Sequence, residues 1–164
     1  MFSSDFMISI ILFMSIIITA GIYYQNLQND VYDSYIRNDM QTKAMNIANL
    51  LATTSGDPQF WNNNTVKVIG LYDSGKFNLT KFEELQKIDY YTTKRILGIN
   101  YEFNLTLKNE TGNIIQRWDG SKWVNYSFGI PLINVEQAVL VKRLGLVNLE
   151  GNVTKTVMEV VIWT

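Results

Sequence analysis

The feature that most constrains this chain is a long uncharged apolar segment near its beginning. The nineteen residues from Phe6 to Tyr24 carry no charge, and only Ser, Thr and Gly residues interrupt the apolar side chains. As an α-helix, this segment would rise about 28 Å, close to the hydrocarbon thickness of a bilayer. Tyr23 and Tyr24 would then lie where an interfacial aromatic belt is expected. The segment therefore predicts a membrane-inserted helix, as in a signal peptide, a membrane anchor or an assembly element.

The helical pattern continues beyond the apolar segment. No proline or glycine occurs from Gln25 to Thr54, and apolar residues recur there at spacings of three and four. The sequence Ser55-Gly56-Asp57-Pro58 then predicts the end of the helix, with Gly56 as its C-cap. We expect one N-terminal helix of about fifty residues within residues 1–55, apolar over 6–24 and amphipathic over 25–54. Such an element is suited to packing against copies of itself and against its own head.

The flanks of the apolar segment separate the possible kinds of membrane helix. A signal peptide has a basic region before its apolar core and a small-residue cleavage site after it. Here no Lys or Arg precedes Arg37, and no A-x-A pattern follows the segment. An intact anchor with an external C-terminal domain would also normally carry positive charge on its N-terminal flank. We expect that a basic leader preceded Met1 and was removed, and an intact anchor is the alternative.

Asp5 lies beside the apolar segment and has two interpretations. A carboxylate next to a membrane-spanning segment is costly unless it is paired or functional, and its partner could be the α-amino group of Met1 in a neighbouring subunit. Alternatively, Ser3, Ser4 and Asp5 are ordinary N-capping residues, and a helix N-terminus favours negative charge. The residues alone favour neither interpretation.

Residues 56–164 predict a β-rich head with short helices. We expect a strand at Val66–Tyr72, a turn at Asp73-Ser74-Gly75, and a helix from the capping box Thr80-Lys81-Phe82-Glu83 to about Ile88. A second short helix is expected near Tyr91–Leu97, with Gly98 as its stop. Residues 101–108 alternate apolar and polar, which is typical of a half-buried strand. Further strands are expected at Asn113–Trp118, Lys122–Phe128, Glu136–Leu149 with a possible interruption at Gly145, and Val153–Trp163.

These elements predict an α+β fold. A long N-terminal α-helix packs on a C-terminal antiparallel β-sheet head of five or more strands, and short helices cover part of that sheet.

Acceptor sequences for N-glycosylation are a second informative signal. With 17 Asn and 22 Ser or Thr residues in the chain, chance alone gives about two Asn-x-Ser/Thr sequences. There are six, all beyond residue 55: Asn63, Asn78, Asn104, Asn109, Asn125 and Asn152. An Asn- and Thr-rich surface could produce them by accident, but the excess favours covalent N-glycans on an exported head.

Composition disfavours several functional classes. Charged residues make up 18% and the formal net charge is −1, so no electrostatic footprint for nucleic acid is expected. Cysteine and histidine are absent, which removes the commonest metal ligands and the commonest general base. We expect no cofactor or metal beyond the covalent glycans, and no enzymatic activity. An anchored hydrolase would have to use carboxylates such as Asp89, Glu102 and Asp119, which are better interpreted as a helix cap, an outward strand position and a turn.

Two stretches give the chain a family resemblance. The N-terminal SSDFMISIILFMSIIITAGIYY, and the part from Trp61 through VIGLYDSGKFNLTKFEELQ to KRILGINYEFNLTL, resemble archaeal type IV pilin-like proteins made with a class III signal peptide. The strands VLVKRLGLVNLEG and VMEVVIW are similar to the usual ending of that family. Asp5 matches the position of a Glu that pairs with a neighbouring amino terminus in many bacterial pilins. The chain lacks the proline found in the apolar region of bacterial pilins, and it lacks the Gly- and Ala-rich beginning of archaellins.

The resemblance implies a filament subunit. A prepilin peptidase would cleave the precursor before Met1, and subunits would pass from the membrane, through the pilus assembly machinery, into a helical filament of identical copies. The expected assembly residues are Met1, Asp5, Phe6, Ile10, Phe13, Ile17 and Tyr24. The expected function is a structural subunit of an extracellular archaeal type IV pilus, used in adhesion or aggregation. The alternatives are a minor pilin and a single-pass, membrane-anchored extracellular binding protein.

Overall fold

A computed structural model describes residues 4–149 and 151–164. Met1, which the sequence predicts as part of the assembly surface, lies outside the described residues. The first element, α1 (Ser4–Thr53), is a single α-helix of 50 residues. The predicted long N-terminal helix is therefore confirmed. The helix continues through Gly21, which costs little because a single glycine lowers helix stability by only about 1 kcal/mol relative to alanine.

The chain divides by packing into two compact units, with the boundary between Asn38 and Asp39. The end of α1 belongs to the second unit and forms part of its core. Its buried side chains are Met40, Ala44, Ile47, Ala48 and Leu51. Their spacing of three and four is the periodicity seen in the sequence, and it places one face of the helix against the sheet. Polar contacts add to this packing, because Arg143 donates to Asn49 Oδ1 and the Tyr101 hydroxyl donates to Asp39 Oδ2 at 2.7 Å.

The segment that follows α1 differs from the sequence prediction. Gly56 does not cap the helix directly, because the last helical hydrogen bond is Thr54 N–H to Leu50 O. Gly56 has φ +83°, and a Cβ there would lie 2.4 Å from the Val68 carbonyl oxygen. Gly56 therefore allows the backbone at Val68 to approach it closely.

The strand predicted at Val66–Tyr72 was wrong. Strand β1 covers only Tyr72–Asp73, and the residues before it form a single bridge between Asp57 and Val68. The backbone of this segment bonds to the end of α1, with Leu71 N–H donating to Leu51 O and Tyr72 N–H donating to Thr54 O. These long-range bonds satisfy the groups that a neighbouring strand would otherwise pair.

Two short helices follow β2 (Lys76–Phe77). Helix α2 (Leu79–Gln86) begins at Asn78, whose side chain accepts a hydrogen bond from Lys81 N–H. The predicted capping box at Thr80 was therefore wrong. The helix begins two residues earlier, because Asn78 is also a strong N-capping residue. Helix α3 (Tyr90–Leu97) begins at Asp89 and ends at Gly98, which has φ 67°. The second predicted helix and its glycine stop are confirmed.

The head is built on a six-stranded sheet in the order β1-β2-β7-β8-β3-β6. The remaining strands are β3 (Glu102–Asn109), β4 (Gln116–Trp118), β5 (Trp123–Asn125), β6 (Ser127–Gly129), β7 (Ala138–Leu149) and β8 (Asn152–Trp163). All pairings in the main sheet are antiparallel except that of β2 with β7. Phe103, Leu105 and Leu107 of β3 are buried, as the alternation predicted. The α+β fold is confirmed.

The two middle strands differ from their predicted extents. β4 and β5 form a separate two-stranded hairpin, and β6 joins the main sheet. The change of sheet occurs at Tyr126, whose N–H donates to Ile115 O and whose carbonyl accepts from Leu107 N–H. The predicted strand Lys122–Phe128 is therefore broken at that residue. By contrast, β7 passes through Gly145 without interruption.

Candidate assembly surface and glycosylation sites

The apolar part of α1 is exposed along its described length. The side chains predicted for assembly that the structure describes are all exposed: Asp5, Phe6, Ile10, Phe13, Ile17 and Tyr24. An 18-residue window in this helix has a mean hydropathy of 2.4, and none of its residues is buried. By length and composition, α1 is compatible with membrane insertion. Exposed apolar surface of this extent needs a lipid or protein environment.

Two of the polar interruptions in this segment are satisfied within the helix. Ser9 Oγ donates to the carbonyl of Asp5 and Thr19 Oγ1 donates to the carbonyl of Ser15, each at 2.8 Å. Such bonds to the preceding turn remove most of the cost of placing a hydroxyl in an apolar environment. The segment is therefore more apolar in effect than its sequence suggests.

Asp5 lies in the first described turn of α1. Within the described residues, no ion pair or hydrogen bond engages its carboxylate. The positive end of the helix dipole lies nearby and favours a negative charge. Both interpretations of Asp5, as a cap and as a partner for a neighbouring cation, remain consistent with this position.

The predicted glycosylation sites differ in whether the side-chain nitrogen Nδ2, the atom that carries the sugar, already donates a hydrogen bond. Asn125 and Asn152 are exposed, and Asn109, the last residue of β3, is half-buried. Asn109 Oδ1 accepts from Asn113 N–H and from both the N–H and hydroxyl of Thr111. In the described part of the chain, the Nδ2 atoms of these three residues donate no hydrogen bond. These three residues are therefore the most accessible of the six predicted attachment sites for a glycan.

The other three sites are less open. Nδ2 of Asn78 donates to Asp73 Oδ2 at 3.3 Å, and Nδ2 of Asn104 donates to the Ile130 carbonyl at 3.0 Å. A sugar on either nitrogen would have to displace that bond in the folded head. Asn63 is half-buried, and its backbone N–H donates to Glu84 Oε2. The alternation placed Asn104 correctly away from the core, but it could not reveal that residue 130 covers it.

The face of the sheet opposite the core combines apolar and charged residues. Its exposed apolar side chains are Leu140, Leu144, Leu146 and Val153, with Leu144 85% exposed. In their midst, Glu159 accepts from Lys108 on β3 and from Lys142 on β7, with the Lys142 contact at 2.9 Å. Sequence reasoning missed this face. The signal was present in β7, where apolar residues occupy both alternating positions.

The candidate catalytic carboxylates occupy structural positions. Asp89 caps α3, and Glu102 on β3 accepts from Tyr90 and Lys94. The Tyr90 and Lys94 hydrogen bonds lower the pKa of Glu102. Asp119 closes the β4–β5 turn, and bonds from the N–H groups of Lys122 and Ser121 and from the Ser121 hydroxyl lower its pKa to about 2. The predicted interpretations as cap, strand position and turn are confirmed.

Within the described ranges, no three Asp or Glu residues cluster in a way that could hold a metal ion. Compared with known protein families, curated proteins and solved structures, the chain shows no match.

Proposed function

We propose that the chain is a structural subunit of an extracellular filament of the archaeal type IV pilus kind, polymerising through its N-terminal helices for adhesion or aggregation. The observation that carries the proposal is α1 itself. One unbroken helix contains both an exposed apolar segment and a segment that packs into the core of the head.

The energetics favour burial of this segment between subunits. Full burial of a large apolar side chain contributes about 1.5–3 kcal/mol, so six such residues contribute about 9–18 kcal/mol. Association costs about 4–15 kcal/mol in lost translational and rotational freedom. Relative to water, a surface as large as Phe6–Tyr24 can therefore drive association without polar contacts. Relative to lipid, assembly depends on close packing between the helices.

Asp5 receives a role in this proposal. In lipid, its carboxylate would carry an uncompensated cost. In a filament, a cationic group of a neighbouring subunit would neutralise it and set the axial register between the two helices. The glycosylation sequences fit the same proposal, because N-glycans require an exported head.

Native surface material provides the test. Negative-stain microscopy should show filaments, and their main polypeptide should have the intact mass of this chain plus several glycans. N-terminal sequencing should give a polypeptide that starts at Met1. Filaments that lack this chain, or a chain that retains a basic leader, would contradict the proposal. If the chain is a minor pilin instead, it will be present at only a few copies per filament.

A membrane-anchored binding protein is the second candidate, because α1 is also long and apolar enough to span a bilayer. In that case the chain should be extracted by detergent as a monomer, and preparations without detergent should contain no filaments.

A further inference from the structure

The hairpin formed by β4 and β5 exposes two tryptophans to solvent. Trp118 and Trp123 are direct cross-strand partners, and they are 56% and 64% exposed. Their ring centroids are 5.7 Å apart with an interplanar angle of 61°. Two adjacent exposed indoles form an apolar patch that is costly in water unless something covers it.

The other face of the hairpin is anchored to the head. Arg117 and Val124 are cross-strand partners and half-buried on that face. Arg117 Nε lies 3.2 Å from Glu83 Oε1 of α2, and Gln86 of α2 donates to the carbonyl of Asn125 at 2.7 Å. These contacts fix which face of the hairpin points outward. The tryptophans cannot turn inward without breaking them.

Asn125 lies on the same face as the tryptophans. It follows Trp123 by two residues on β5, so the two side chains project in the same direction, about 6.6 Å apart. Its cross-strand partner Gln116 donates from Nε2 to Asn125 Oδ1 at 2.7 Å. This bond orients the amide and leaves Nδ2 without a hydrogen bond in the described part of the chain.

We infer that an N-glycan on Asn125 packs its first sugar rings on Trp123 and Trp118. The inference rests on the proposed function, since that function supplies an exported, glycosylated head. In the attachment step, a bond forms between sugar C1 and Asn125 Nδ2 while the C1–O bond to a lipid-linked phosphate donor breaks. The lipid phosphate leaves, and the amide loses one proton to the medium.

The chemistry of a pyranose suits this surface. One side of the ring presents C–H bonds with small positive partial charge, and the face of an indole is negative. Covalent attachment holds the sugar at high effective concentration beside the rings, so a weak contact is populated. The glycan then covers apolar surface that is otherwise exposed.

Asn125 is distinctive among the predicted acceptors. Trp61 also precedes its acceptor, Asn63, by two residues, but Trp61 is buried and its Nε1 donates to the carbonyls of Ser55 and Gly70. Asn152 pairs across its turn with Leu149 and has no aromatic partner there. A glycan at Asn152 therefore serves as a matched control.

The test compares variants of the full chain made in a glycosylating host and purified in detergent. Ser127→Ala removes the acceptor sequence while keeping Asn125 and both tryptophans. We expect glycopeptide mass spectrometry to find a sugar on Asn125 of the wild type, and we expect Ser127→Ala to lower the Tm by about 2–4 °C. Thr154→Ala, which removes the Asn152 sequence, should leave the Tm unchanged. In the same chain made without glycosylation, Ser127→Ala should have no effect.

A second readout separates packing from general stabilisation. Trp61 and Trp163 are buried, so acrylamide quenching of tryptophan fluorescence reports mainly on Trp118 and Trp123. Ser127→Ala should increase quenching only in the glycosylating host. In a Trp118→Ala, Trp123→Ala background, the Tm difference caused by Ser127→Ala should disappear.

The inference is overturned if Asn125 carries no sugar, or if a sugar is present and Ser127→Ala changes neither Tm nor quenching. The proposed function is tested separately by the presence of this chain in filaments, which does not depend on the Trp variants.

Discussion

At the scale of single residues, Glu159 shows how a charge is held on the outer face of the sheet. It lies between Lys108 and Lys142 on the two neighbouring strands and is only 8% exposed. Burial alone raises the pKa of Glu159, but the hydrogen bonds and the positive charges of both lysines together outweigh it and leave the pKa below its ordinary value. The carboxylate is therefore more stable as an anion in the folded head than in the unfolded chain.

Glu159→Gln should destabilise the head by about 1–3 kcal/mol at pH 7, because two ammonium groups lose their shared partner while keeping some access to water. The folded pKa lies below the unfolded one, so the contribution is present above about pH 4.5 and is lost as the pH falls through the folded pKa. Thermal unfolding of wild type and variant should show a Tm difference at pH 7 that shrinks toward pH 3.

Glu110→Gln is the matched control for this prediction. Glu110 lies 3.6 Å from Lys155, and both side chains are largely exposed. Exposed ion pairs contribute about 0–1 kcal/mol. A Glu110 variant as destabilising as the Glu159 variant would show that burial between two lysines does not decide the effect.

At the scale of elements, the sequence could predict those that local pattern decides. The long helix, β3, α3 and the β7–β8 hairpin follow from periodicity and from caps such as Asp89 and Gly98. The segment before Tyr72 and the break at Tyr126 could not be predicted. In both, the backbone bonds to residues far away in sequence, and those partners are not visible in a local window.

The role of Gly145, where the sequence allowed an interruption of β7, also depends on a residue that is distant in sequence. A Cβ at this position would lie 2.4 Å from Cε2 of Phe77, whose ring packs over the strand. The glycine therefore makes room for a side chain of β2 and does not weaken the pairing of β7 with β8. A single sequence cannot reveal that the ring lies there.

Gly145→Ala should destabilise the head by about 1–3 kcal/mol, because the new methyl group displaces the Phe77 ring. Phe77→Leu removes the ring and has its own cavity cost, but alanine at position 145 should add little to it. Thermal unfolding of the two single variants and the double variant gives the coupling between the sites. Simple additivity would show that the cost at Gly145 does not come from Phe77.

At the scale of the whole molecule, the question is whether the exposed part of α1 meets lipid or other copies of itself. Charged substitutions cannot distinguish these, since a carboxylate at the centre of the helix opposes membrane insertion by about 2.5–3.5 kcal/mol and so blocks either route. Alanine keeps the helix and its apolar character while it removes packing volume.

Phe13→Ala with Ile17→Ala should therefore leave the chain membrane-associated and the Tm of the head unchanged, but should reduce filament yield strongly. Each methylene lost from a subunit contact removes van der Waals packing that a lipid contact does not require, and every copy in a polymer carries the loss. Asn46→Asp, on the exposed side of the head-packed part of α1, is the control and should assemble normally. Lipid contacts tolerate alanine at both positions. If the chain is a membrane-anchored monomer, the double variant should therefore insert and fold like the wild type, and neither should form filaments. Loss of filaments with an intact head and intact membrane insertion is the outcome that only contacts between copies of α1 explain.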